Sequence, residues 1–109
     1  MPQNEYKLEI LDDARNEIHE IAKIHLELVG PISARKITGR IRAALENLKT
    51  NPMMGVACRE ESLALAGYRI LICGNYLCFY RQVGNSVFVY HVVDGRMDYG
   101  KLLMDLERT

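Results

Sequence analysis

Apolar and polar residues alternate from Tyr6 to Ile10, with Tyr6, Leu8 and Ile10 on one side and Lys7 and Glu9 on the other. A period of two predicts a short first strand. Asp12 and Asp13 stop it, and either can cap a helix. Ala14, Ile18, Ile21, Ala22, His25, Leu28 and Val29 then recur at three- and four-residue intervals, an amphipathic helix that ends near Gly30-Pro31. Ser33 can cap a second helix with the stripe Ile37, Ile41, Ala44, Leu45 and Leu48, closed by Asn51-Pro52. So few residues separate the two stripes that the helices should form an antiparallel hairpin facing one core.

From Pro52 to about Ala66 the pattern is irregular, and the period then returns to two. Three strands are expected, Tyr68 to Cys73, Tyr76 to Val83 and Val87 to Val93. Gly74-Asn75 and Gly84-Asn85 separate them, pairs that tolerate positive φ and suit two-residue hairpin turns. The tail from Tyr99 to Leu106 can form a last short helix on Leu102, Leu103 and Leu106.

Tight turns set the register of the meander. Cys73 should face Tyr76, Leu71 Cys78 and Arg69 Tyr80; across the second turn, Tyr80 should face Val89 and Cys78 His91. One face then carries Tyr68, Ile70, Ile72, Leu77, Phe79, Phe88, Tyr90 and Val92, with Arg81 at its edge. Being almost wholly apolar, it is expected to meet the helices. The other carries Arg69, Leu71, Cys73, Tyr76, Cys78, Tyr80, Val89 and His91 and is expected to point away from the core.

Length and charge narrow the possibilities. A chain of 109 residues fits one domain, 1–109, without room for a second core. Fourteen basic and fourteen acidic residues cancel, so the whole chain is not a strongly basic nucleic-acid binder. Locally the balance differs: from Ile32 to Thr50, Arg35, Lys36, Arg40, Arg42 and Lys49 stand against Glu46 alone. This stripe is either a solvated helix face or a surface for an acidic or phosphate partner. Cys58, Cys73 and Cys78 form neither a disulfide framework nor a zinc pattern, and no cofactor or metal is expected. With neither a signal segment nor a long apolar run, the expectation is a cytoplasmic protein that does not engage membranes.

The polar sheet face concentrates the candidate chemistry. Arg69, Tyr80, Cys78 and His91 occupy neighbouring rows, and Arg96, Tyr99 and Lys101 follow the last strand. Arginines hold phosphates through charge-assisted hydrogen bonds, and a histidine moves protons near neutral pH. The plainer alternatives are that the tyrosines pack a strand face and that His25, on the helical stripe, is a satisfied packing residue. Cys78 opposite His91 would pair a nucleophile with a base, although the spacing supplies no orienting carboxylate.

Together, SARKITGRIRAALENLKTNPMMG and YRILICGNYLCFYRQVGNSVFVYHVVDGRMDYGKLL resemble the RelE/ParE superfamily of toxins from type II toxin-antitoxin systems over nearly the whole chain. The motifs are Asn51-Pro52 with Gly55, Tyr68-Arg69, Phe79-Tyr80-Arg81, and Gly95-Arg96 with Asp98 and Tyr99. The resemblance implies an α+β fold: an N-terminal strand, an antiparallel helical hairpin packed on an antiparallel meander, and a short C-terminal helix. It implies a growth-inhibiting toxin bound by a cognate antitoxin, which would fold as a helix in the groove between hairpin and sheet or add a strand at the meander edge, covering Arg69 and Arg96. A RelE-like toxin cuts mRNA on the ribosome without metal, and the catalytic set would be Arg69 and Arg96 as cations with His91, Tyr80 or Tyr99 as acid or base. Other basic positions of those nucleases fall here on Leu71, on Leu77 or Cys78, and on Met97. The alternatives are therefore a ParE-like inhibitor that binds DNA gyrase, and a non-toxic module that only binds antitoxin.

Overall fold

The computed structural model describes residues 5–96 and Leu106. Strand β1 (Lys7–Ile10) leads through Leu11 into α1 (Asp12–Leu28), and α2 (Pro31–Asn47) returns antiparallel. Next come β2 (Val56–Ala57), α3 (Glu61–Leu65), and the meander β3 (Tyr68–Cys73), β4 (Tyr76–Val83) and β5 (Ser86–Asp94). The stretch expected to be irregular thus holds a two-residue strand and one turn of helix, both too short to produce a period.

Local chemistry accounts for the boundaries. Asp12 and Asp13 sit in the first turn of α1, where acids favour the positive helix end, while the N-cap itself is Leu11. Helix α2 starts earlier than Ser33 suggests: Gly30, at φ 133°, turns the chain and Pro31 opens the helix. Gly74 and Gly84, at φ 60° and 59°, take the left-handed position of the two hairpin turns.

The described residues form one five-stranded sheet in the order β1-β5-β4-β3-β2. β1 runs parallel to β5, and the remaining pairs are antiparallel. As expected, Cys73 faces Tyr76, Leu71 faces Cys78, Arg69 faces Tyr80, and Tyr80 faces Val89. Beyond Val89 the register slips. Phe79 faces His91 and Cys78 faces Val92, leaving Tyr90 as the extra residue of a bulge. The expected Cys78–His91 pair does not form, and burial pushes the Cys78 thiol up to about 12, out of the nucleophilic range.

The two sheet faces are exchanged relative to expectation. Leu71, Cys78, Tyr80, Val87 and Val89 lie beneath the helices, packed with Ala14, Ile18, Ile21, Ile41, Leu45 and Leu48, and past the bulge Val92 joins them, on the helix side where it was expected. Tyr68, Phe79 and Val93 instead form a smaller cluster with Cys58, Leu63 of α3 and Leu106, while Ile72 on that side is 64% exposed. Apolarity alone could not choose between faces that both bury large side chains. The strands β1 and β3 run parallel, and the strong general preference for right-handed crossovers between parallel strands, not apolarity, selects the face that meets the helical hairpin. Apart from buried Leu106, the expected C-terminal helix lies outside the described residues.

Candidate functional site

Arg69 and Tyr80, neighbours across β3 and β4, reach the same loop. The Tyr80 hydroxyl, fully buried, donates to the Pro52 carbonyl at 2.7 Å and accepts from the Gly55 N–H at 2.9 Å. Arg69 Nε donates to the Gly55 carbonyl at 3.0 Å, and its terminal nitrogen donates to the same carbonyl and to that of Met53 at 3.2 Å. The Asn-Pro-x-x-Gly segment is therefore held by two side chains whose polar atoms would otherwise be costly to bury. It presents Met53, 62% exposed, to solvent.

His91 and Arg96 are placed elsewhere. His91 is almost fully buried, and its Nδ1 lies 3.2 Å from both oxygens of Glu17 on α1. A carboxylate only accepts, so Nδ1 carries the proton; Glu17 also accepts from the Val92 N–H at 3.0 Å. Arg96 projects into solvent and forms a fork with Asp94, at 3.0 Å from Nε and 2.7 Å from the terminal nitrogen. Those hydrogen bonds hold the Asp94 carboxyl down at about 2. Tyr99, Met97 and Lys101 lie outside the described residues. Of the five candidate catalytic residues, the structure brings together Arg69 and Tyr80, on the loop rather than on an open face.

Two further arrangements join tyrosines of the sheet to their neighbours. The Arg81 guanidinium lies 4.4 Å from the Tyr68 ring centre and 5.7 Å from that of Tyr90, and donates to the Tyr90 hydroxyl at 3.1 Å. The register set by the first turn already puts Arg81 opposite Tyr68 on the face that carries Tyr90, and the cation–π contact closes over it. His25, read as a satisfied packing residue, joins Ser33 on α2 to Tyr76 on β4, each at 3.0 Å.

Between α1 and the end of β5 lies a groove of about 550 Å³. Ile21, Ile24, Leu28, Val92 and Val93 give it apolar walls, with Glu17, Glu20, Asp94 and Arg96 around them. Ile24 is 50% and Leu28 79% exposed, although the helical period counts Leu28 among the core positions. No helix among the described residues is long and apolar enough to cross a membrane.

Comparison with known proteins agrees with this architecture. A chain of the chromosomal ParDE toxin-antitoxin system from P. aeruginosa is similar at a TM-score of 0.70 and 18% identity, covering 84% of this chain and 97% of that one. A chain of the RelBE2 toxin-antitoxin complex from Mycobacterium tuberculosis is similar at 0.56 and 22% identity, covering 83% and 91%. No curated protein matches the sequence. Residues 8–99 match the family described as the ParE toxin of the type II toxin-antitoxin system parDE. With most of its length inside that match, the chain belongs to the ParE toxin family, within the RelE/ParE superfamily of type II toxins.

Proposed function

We propose that this toxin arrests growth by binding DNA gyrase rather than by cutting mRNA on the ribosome. The observation that carries the reading is the engagement of Arg69 and Tyr80 with the backbone of Pro52, Met53 and Gly55. Cleavage of RNA needs a group to take the 2′-hydroxyl proton, free cations for the phosphorane, and an acid for the leaving oxygen. A cation anchored to backbone carbonyls through Nε and one terminal nitrogen, and a tyrosine with no exposed surface, are poorly suited to these roles. His91 is buried against Glu17, and Arg96 is forked onto Asp94. A binder needs no such set, and the family match to ParE points the same way.

The partner that restrains the toxin is an antitoxin, in keeping with the two similar structures, both from toxin-antitoxin systems. Its docking segment is best accommodated as a helix in the groove between α1 and β5. Arg96 lines that groove whereas Arg69 does not, so the segment would cover only one of the two arginines.

Purified toxin added to a gyrase supercoiling reaction should stop supercoiling, and primer extension on a message in active translation should show no cuts. Cuts confined to the codon in the ribosomal A site, with supercoiling undisturbed, would replace this reading with the nuclease. Harmless expression with neither effect would leave an antitoxin-binding module.

A further inference from the structure

We infer that the outward face of α2 is a docking surface for the phosphate backbone of duplex DNA, contacted without regard to sequence. Lys49 pairs with Glu46 at 2.8 Å, which removes the single acid of the stretch and leaves Arg35, Lys36, Arg40 and Arg42. All four are exposed, and none has an ion-pair partner among the described residues.

At about 100° per residue the four fall into two rows. Arg35 and Arg42 run along one flank of the exposed face, Lys36 and Arg40 along the other, with Gly39 and Ala43 between them. Gly39 has nothing within 4 Å of where a Cβ would sit, so the strip between the rows is low and open. A helix about 10–12 Å across matches a major groove about 12 Å wide. Cation rows on its two flanks then face the two phosphate strands, while Gly39 and Ala43 carry nothing that reads a base. The first row continues off the helix. Arg42 shares a hollow of about 340 Å³ with Arg15 and His19 of α1, in which the one acid is the Glu46 already held by Lys49.

A phosphate backbone fits this face better than an acidic protein does. Protein interfaces have an apolar centre, whereas DNA interfaces are polar and positive. The exposed face of α2 carries one large apolar side chain, Ile32, at its very start. Ile24 and Leu28, the apolar groups suited to a protein partner, line the groove on α1 instead.

The test is fluorescence anisotropy of the purified toxin with a labelled duplex of about 20 base pairs over a salt series; each phosphate contact contributes about −0.9 to the log–log slope. Four contacts predict a slope of about −3 to −4. Arg35→Gln with Lys36→Gln should bring the slope about 2 closer to zero and weaken binding at least tenfold at low salt, and Arg40→Gln with Arg42→Gln should do the same. Lys7→Gln with Lys23→Gln, an equal charge change on β1 and α1, should leave both unchanged. Glutamine keeps the helix, and unchanged melting temperatures verify the fold. Equal weakening by the control pair, no duplex binding at about 50 mM salt, or tighter binding of polyglutamate than of duplex would overturn the inference. Gyrase takes no part in the assay, so it and the supercoiling reaction can fail independently.

Discussion

Arg69 and Tyr80 face each other across β3 and β4 and meet again on the backbone of one loop, Tyr80 between Pro52 and Gly55 and Arg69 on Met53 and Gly55. Side chains suited to handling phosphates and protons hold the shape of the chain instead. Stability, rather than turnover, is the quantity their substitution should change first.

Tyr80→Phe removes one hydroxyl and leaves both the Pro52 carbonyl and the Gly55 N–H unsatisfied in a buried position. The loss should be about 1–3 kcal/mol. For a domain this size each kcal/mol lowers the melting temperature by roughly 4–8 °C, measured by circular dichroism. A variant that melts like the parent yet no longer arrests growth would return Tyr80 to the reacting groups.

Two glycines should respond in opposite ways to alanine. A Cβ at Gly55 would lie 2.6 Å from the Ile70 carbonyl and 2.7 Å from the Tyr80 hydroxyl, so Gly55→Ala must push the loop off the sheet and should cost about 1–3 kcal/mol. Gly39 lies in open space inside a helix, and Gly39→Ala should raise stability by about 0.5–1 kcal/mol. Parallel thermal melts of the two variants check both signs.

The Asp94–Arg96 fork predicts a specific acid response. The folded-state value of Asp94, about 2, is below its unfolded value, so the stabilisation is complete above the unfolded value of about 4. It fades as pH falls from there through 2. An NMR titration should follow Asp94 at about 2 in the parent and near 4 in Arg96→Ala. Because Arg96 is solvent-exposed, neutral-pH stability should change by less than about 0.5 kcal/mol.

The groove between α1 and β5 makes a separate prediction. Ile24→Glu and Leu28→Glu place a charge on exposed apolar walls, so antitoxin affinity should fall at least tenfold while the melting temperature holds. Calorimetric titration against the antitoxin measures it. Undiminished affinity in both variants would move the antitoxin to another face.

Much of the fold could be read locally, and the exceptions have identifiable causes. The hairpin turns announce themselves because glycine is needed at positive φ, and the register they set holds as far as Tyr80 and Val89. The bulge at Tyr90 interrupts no alternation that composition could reveal. The sheet faces were exchanged because the hand of a crossover is a property of topology, not of residue type. Arg69 and Tyr80 looked reactive because their partners are backbone atoms 14 to 28 residues away, which carry no side-chain signature. Gly55 was visible in its motif; the pointer it offered was to close packing, with the Tyr80 hydroxyl against its backbone.

The parallel pairing of β1 with β5 bears on how the toxin comes into being. Lys7 finds its partner at Ser86 and Ile10 at Val89, so the first strand to be synthesised waits for the last of the meander before it can pair. Closing so long a loop slows folding, since the entropy is lost before the contact rewards it. During synthesis the helical hairpin can form early, but the sheet edge that covers β5 stays unmade until β5 itself is available. An interrupted translation product ending before β5 therefore cannot complete this sheet, and leaves β1 with no neighbouring strand to pair with.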